Sequence, residues 1–306
     1  MQRYILAKLG QSIVLLFGII ILVFFMLRIT GDPASLMMSR EASPDQVAAF
    51  REAMGFNRPL IVQFGDYATG AVTGDFGQSL HYRSPALDLV LERLPATLQL
   101  ATIALLIAVL IGTPLGIIGG FNPGSFLDTV SRTVALAAQT IPNFWLALVL
   151  IIVFAVGLGW FPAFGRDELK SVVLPAFVLS LPVMGQIVRM ARSTVLEIRG
   201  EDYIRTARSK GLEPRTIYVK HVLRNVAVPL VSVIAIQFGY MLGGSIYIET
   251  IFSWPGMGQL LQQAIGWRDF PVVQAIAIFT SVVVLTLNLL ADVAYALIDP
   301  RIRYGN

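Results

Sequence analysis

The 306-residue sequence contains no cysteine and only two histidines, His81 and His221. Without cysteine there is no disulfide, no cysteine-based metal site and no thiol nucleophile, so any aqueous part of the chain must fold by packing alone. No G-x-x-x-x-G-K-[ST] phosphate loop occurs, so the chain does not itself cradle ATP with a ring of backbone N–H groups. H-E-x-x-H and G-x-S-x-G are absent as well, which leaves an enzyme reading little beyond loop carboxylates such as Asp32 or Asp75. Charge is scarce too: 14% of residues are charged, against about 25% in an ordinary soluble domain.

What fills that space is apolar. Hydrophobic residues make up 56% of the chain and mean hydropathy is +0.71, more than one soluble core can hide. The apolar runs are Leu9–Leu27, Ala96–Ile118, Val134–Val156, Val173–Val188, Val226–Ile246 and Pro271–Ile298. Each is about as long as a bilayer crossing and hydrophobic all round the helix, not along one stripe. The expected fold class is all-α: a polytopic membrane protein with six transmembrane helices and a small external helical region. The first run, 1–29 with its flanks, is longer than a signal-peptide core and lacks a small-residue cleavage site after it, so it reads as a retained anchor. Pro95, Pro175 and Pro271 stand at or near the starts of the second, fourth and sixth runs, where a missing N–H is harmless.

Basic residues set the orientation. Between Arg189 and Asn225 nine basic residues face four acids, which makes 189–225 cytoplasmic by the positive-inside rule. Six helices then put both termini inside, in agreement with Arg3 and Lys8 at one end and Arg301 and Arg303 at the other. In that topology His81 and His221 lie on opposite sides and cannot share a metal. The net charge of +4 sits between apolar runs and forms no free-standing arm, so nucleic acid is not an expected partner.

The segment 30–94 falls outside and is rich in acids. It carries its own helix signals: Ser43 as N-cap, Pro44 in the first turn, Gln46 three residues after the cap, and Gly55 as stop. It reads equally as a docking surface for an external partner or as a lid over helix ends. The apolar runs contain the amides Gln11, Gln99, Gln139, Asn143, Gln186, Gln237, Gln274 and Asn288, while their one carboxylate, Asp292, lies near the end of the last run. An ion-coupled carrier needs buried ionisable groups and has little support here. Amides either line a polar path or bond helix to helix; Gln139, Asn143, Gln186 and Gln237 are the candidates for a translocation path. Mid-run Pro114, Pro142, Pro182 and Pro229 each free a carbonyl, as kinks beside transporter cavities do, although proline is common in membrane helices generally.

The most informative segment is Glu201-Asp202-Tyr203-Ile204-Arg205-Thr206-Ala207-Arg208-Ser209-Lys210-Gly211. Acids open it, bases close it and glycine stops it, which suits a short helix; Pro214 then opens a second. So short a helix is marginal alone. Either it lies on anionic lipid or it presents a rigid knob to a cytoplasmic protein.

This loop resembles that of the membrane subunits of binding-protein-dependent ABC importers, specifically the dipeptide, oligopeptide and nickel group. The likeness extends through Gly31-Asp32-Pro33, Gly74-Asp75-Phe76-Gly77, Glu249-Thr250-Ile251-Phe252-Ser253-Trp254-Pro255-Gly256, Arg268-Asp269-Phe270-Pro271-Val272-Val273-Gln274 and Asp299-Pro300-Arg301. Against the wider signature Glu-Ala-Ala-x3-Gly-x9-Ile-x-Leu-Pro, only Ala207, Gly211 and Leu223 match, and the nearest proline is displaced to Pro229, as in the peptide-type variant. The resemblance implies a type I importer membrane domain: an anchor over 1–29, an extracytoplasmic region over 30–94, a five-helix permease core over 95–298 with its coupling loop at 189–225, and a cytoplasmic tail over 299–306. It implies that Glu201, Asp202, Tyr203, Ile204, Arg205, Thr206, Ala207, Lys210, Gly211 and Pro214 engage one of two separate ATPase subunits, which bind the ATP; the chain itself needs no cofactor. It further implies a second homologous permease subunit, an extracytoplasmic substrate-binding protein and a place in the cell inner membrane. Peptides are the expected cargo, with nickel chelates, glutathione and oligosaccharides as alternatives within the same family and an autonomous secondary carrier as the alternative outside it.

Overall fold

The computed structural model describes residues 2–29, 31–38, 41–213, 216–217 and 222–298. Helix α1 (Gln2–Ile29) is followed by three short helices, α2 (Pro33–Met37), α3 (Pro44–Ala53) and α4 (Leu60–Thr73). Then come α5 (Ala86–Phe121), α6 (Phe126–Thr140), α7 (Asn143–Leu150), α8 (Val173–Gly200) and α9 (Asp202–Ser209). The chain closes with α10 (Arg224–Ile251), α11 (Met257–Trp267) and α12 (Phe270–Ile298). Among the described residues five helices are long and apolar enough to cross a membrane, and the pair Phe126–Thr140 and Asn143–Gly157, bent by 100°, brings the number to six when counted as one broken span. Large side chains such as Ile13, Val14 and Leu110 are exposed along these helices, as lipid-facing surfaces require and water-facing ones do not.

The bend has a local cause. Pro142 lacks an N–H and disfavours the helical region for the residue before it, and Ile141 accordingly adopts extended backbone at φ −73°, ψ 123°. Beyond α7 the chain runs through a π-helical turn, Ile151–Gly157. Pro182 and Pro229, by contrast, sit inside α8 and α10. Pro95 does not open the second span: α5 already begins at Ala86. The earlier start arises because Ala86, Leu89 and Val90, at helical spacing, are buried with Met257, Leu260, Val272 and Ile276, and that burial outweighs the hydrogen bond lost at the proline.

The residues group into two compact units, one of Gln2–Thr97 with Pro255–Thr286, the other built on Leu98–Trp254. In the first, α3 has the expected capping box: Ser43 Oγ accepts from the Gln46 N–H at 3.3 Å and the Ser43 N–H donates to Gln46 Oε1 at 2.9 Å. Phe24 of α1 is buried edge-on against Phe64 of α4, centroids 5.2 Å apart. The blocks around Gly77 and Asp269, far apart in sequence, meet: buried Asp269 Oδ2 accepts from the Ser79 hydroxyl and from the His81 N–H at 3.2 Å. The His81 ring stacks on Trp267 at 3.7 Å.

In the second unit α5 lies close against α8 because glycine recurs at positions 112, 116 and 120 of α5. A Cβ at Gly116 would stand 2.5 Å from Val188 O, and one at Gly120 2.7 Å from Val195 Cβ. Such small-residue stripes let membrane helices approach at backbone distance.

Candidate functional site

The segment 201–213 forms what its sequence suggests. Glu201 ends α8 in extended backbone, and its carbonyl accepts from the Ile204 and Arg205 N–H groups at 3.1 and 3.3 Å to start α9. Asp202 stands in the first turn, where a carboxylate meets the positive end of the helix dipole. At the other end Gly211 takes φ +74°, and the Leu212 N–H reaches back to the Ala207 carbonyl at 3.3 Å, the closing bond of a Schellman cap. Lys210 donates its N–H to Thr206 O at 3.0 Å. Pro214 lies outside the described residues.

Burial divides this helix into two faces. Ile204 is 1% exposed and Ala207 7%, whereas Asp202, Arg205 and Thr206 are exposed. The Asp202–Arg205 ion pair, 3.6 Å apart with both side chains largely in solvent, adds little to stability. Tyr203 is half-exposed, and its hydroxyl accepts from Asn225 Nδ2 at 3.1 Å. The result is a short helix with an apolar underside and a charged, open outer face.

Two guanidinium contacts tie its base to the bundle. Arg199, in the last turn of α8, donates to the Gly120 and Phe121 carbonyls at 3.0 and 2.8 Å, satisfying helix-end acceptors of α5 that have no intrahelical donor. Arg192, two turns earlier, holds buried Asp128 at the start of α6 with Nε at 2.6 Å and Nη2 at 3.1 Å. Asp128 also accepts from the Gly124 N–H at 2.9 Å. Both links join residues more than sixty positions apart and have no local sequence signal; the glycine stripe on α5 has one, a four-residue spacing of Gly112, Gly116 and Gly120.

The four path candidates separate. Gln139 and Asn143 line one cavity of about 470 Å³ at the α6–α7 bend, with Pro142, Pro182 and Tyr247. Gln186 lines a second, of about 660 Å³, with Arg132, Arg189 and Arg192. Gln237 is buried and lines neither, and its Nε2 has no hydrogen-bond partner among the described residues. The loop carboxylates considered for an enzyme have structural tasks: Asp32 caps α2 through the Ser35 N–H at 3.1 Å and pairs with Arg51 at 2.6 Å, while Asp75 accepts from the Gly77 N–H at 3.0 Å. Burial alone would raise the Asp32 carboxyl, but hydrogen bonds from Arg51 and the Ser35 N–H, with the arginine's charge, hold it below its ordinary value. Among the described residues no cluster of three or more metal-binding side chains occurs.

Five long apolar helices and a bent helix pair, carrying a short capped helix on a long α8, define a polytopic membrane protein. Residues 112–304 match the binding-protein-dependent transport system inner membrane component, and residues 1–101 match the N-terminal region described for such components. The chain belongs to this family of inner-membrane components and is a permease subunit of an ABC importer. It is 39% identical to the glutathione transport system permease protein GsiC of Escherichia coli (strain K12), over 99% of this chain and 100% of that one. It is 36% identical to the dipeptide transport system permease protein DppB of Alkalihalophilus pseudofirmus, again over 99% and 100%. Among solved structures, an inward-facing MetNI methionine ABC transporter aligns with a TM-score of 0.57 at 21% identity, over 69% of this chain and 96% of that one. That likeness supports the fold.

Proposed function

We propose that this permease moves peptides or a peptide-like solute such as glutathione, delivered by an extracytoplasmic binding protein, along a path shared with a second homologous permease subunit. Two ATPase subunits supply the energy, and α9 is where they engage this chain. The observation that carries this reading is the build of α9: apolar underside buried, ends capped, outer face charged and open, and base locked to α5 and α6 through Arg199 and Arg192. A helix so mounted passes a push on its outer face into the spans. The nine basic residues of 189–225 favour the cytoplasm for this face, with both termini on the same side. The anchor over 1–29, the extracytoplasmic region over 30–94, the core over 95–298 and the tail over 299–306 follow from that orientation. Glutathione and dipeptide permeases among the relatives favour peptide cargo over nickel or oligosaccharide.

The test is reconstitution of the complex in proteoliposomes, with uptake of labelled dipeptide or glutathione measured with and without ATP. ATP-dependent uptake that requires the binding protein is the expected result; ion-driven uptake by this subunit alone overturns it. The absence of native cysteine gives a clean background for topology: Lys210→Cys should react with impermeant maleimide from the cytoplasmic side alone, and labelling from outside contradicts the orientation.

A further inference from the structure

We propose that the cavity between α6, α8 and α10 is an anion subsite that receives the carboxylate end of a peptide cargo, with Arg189 and Arg132 as its recognition groups. The proposal rests on the peptide-cargo reading above. The cavity has a volume of about 660 Å³, within the size range of small-molecule sites. Arg132, Arg189 and Arg192 line it, and among the described residues no acidic side chain does.

The charges around it do not balance. The nearest carboxylate paired with this wall is Asp128, and Arg192 takes both its oxygens at 2.6 and 3.1 Å. Arg132 Nε stands 3.6 Å from Asp128 Oδ2, beyond a good hydrogen bond. Arg189 is exposed and has no hydrogen-bond or ion-pair partner among the described residues. Among the described residues three guanidiniums therefore share one carboxylate, and two excess positive charges face the cavity.

The occupant follows from what adjoins the arginines. The smaller cavity, with Gln139 and Asn143, is lined by the same three helices and the start of α7; Leu136 and Gln139 are neighbours on α6, as Pro182 and Gln186 are on α8. Amide groups at one end and guanidiniums at the other match a molecule with peptide bonds and a terminal carboxylate. Guanidinium groups fork onto a carboxylate with two parallel N–H donors, which an amidated terminus cannot reciprocate. A lipid phosphate would use the arginine end and leave the amide end unused.

The test compares alanyl-alanine with its C-terminal amide by equilibrium binding to the intact transport complex in phosphatidylcholine nanodiscs, without the binding protein. Wild type should bind the acid about tenfold more tightly than the amide, the value of a charge-assisted pair. Arg132→Gln with Arg189→Gln should bring that ratio close to one, and Arg189→Lys should leave an intermediate ratio by keeping the charge without the fork. Equal affinities in wild type, no measurable binding of either, or an unchanged ratio in the double variant overturns the subsite. Loss of the wild-type preference on exchange into phosphatidylglycerol nanodiscs overturns it in favour of a lipid headgroup. ATP-driven uptake of alanyl-alanine by wild-type complex is measured alongside: its absence overturns the cargo reading, whereas uptake with an unchanged ratio overturns the subsite alone.

Discussion

Arg192 grips both oxygens of the buried Asp128 carboxylate, Nε to Oδ1 at 2.6 Å and Nη2 to Oδ2 at 3.1 Å, across 64 residues of sequence. The same carboxylate accepts from the Gly124 N–H, so one side chain joins α8 to the turn between α5 and α6. Asp128→Ala would strand a half-buried guanidinium and orphan that N–H, a change that costs about 3–5 kcal/mol when a buried pair is broken. Arg192→Lys keeps the charge and loses the fork, which predicts a smaller loss. Thermal unfolding of the purified protein in one detergent should rank wild type above Arg192→Lys above Asp128→Ala. Equal midpoints for all three would show that the pair does not hold these helices.

The second prediction concerns the α5–α8 contact. A methyl at Gly116 would meet Val188 O at 2.5 Å and Ala191 Cβ at 2.7 Å, closer than real side chains stand, and both obstacles belong to a packed helix. Gly116→Ala should cost about 1–3 kcal/mol through overpacking, and Gly116→Val more. Gly10, with nothing within 4 Å, is the control: Gly10→Ala should leave the melting temperature unchanged or slightly raised, because alanine is the better helix former. A Gly116→Ala protein as stable as wild type would mean that the two helices can separate without loss.

Much of this architecture is visible in the sequence, because runs of apolar residues long enough for a bilayer leave few alternatives. The α3 capping box is legible for the same kind of reason: Ser43 and Gln46 are three residues apart and satisfy each other. Pro95 misleads because the first three turns of α5 owe their helical state to burial against Met257 and Val272, over 160 positions away. Asp128–Arg192 and Ser79–Asp269 are likewise long-range pairs. Among the path candidates, the pattern cannot separate Gln139 and Gln186, which line cavities, from Gln237, which is buried away from both, since each is one amide in an apolar run.

The third prediction is a pH dependence confined to the region around α2 and α3. Asp32 is held below its ordinary value of 3.8 chiefly by Arg51 and the Ser35 N–H, which overcome desolvation. A depressed carboxyl stabilises the fold fully above that ordinary value, and the contribution is lost as pH falls through the lowered one. With both side chains more than a third exposed, the pair is worth about 1 kcal/mol or less. Hydrogen-exchange protection of the Ser35 amide should be flat from neutral pH down to the ordinary carboxylate range and fall below it. In Asp32→Asn, protection should be lower throughout and lack that step. A step centred near neutral pH in wild type would assign the effect to another group.

The last prediction tests α9 through its cap. Gly211 holds φ +74°, which lets the Leu212 N–H reach the Ala207 carbonyl and closes the helix. Proline cannot adopt that angle and disfavours helical backbone at Lys210, so Gly211→Pro should unravel the last turn. Asparagine tolerates left-handed backbone far better than other side chains, so Gly211→Asn should retain most of the structure. In reconstituted complex, stimulation of ATP hydrolysis by loaded binding protein should be abolished in Gly211→Pro and largely kept in Gly211→Asn, while unstimulated hydrolysis by the ATPase subunits persists in both. If Gly211→Pro still responds fully to loaded binding protein, the force that moves these helices enters the chain somewhere other than α9.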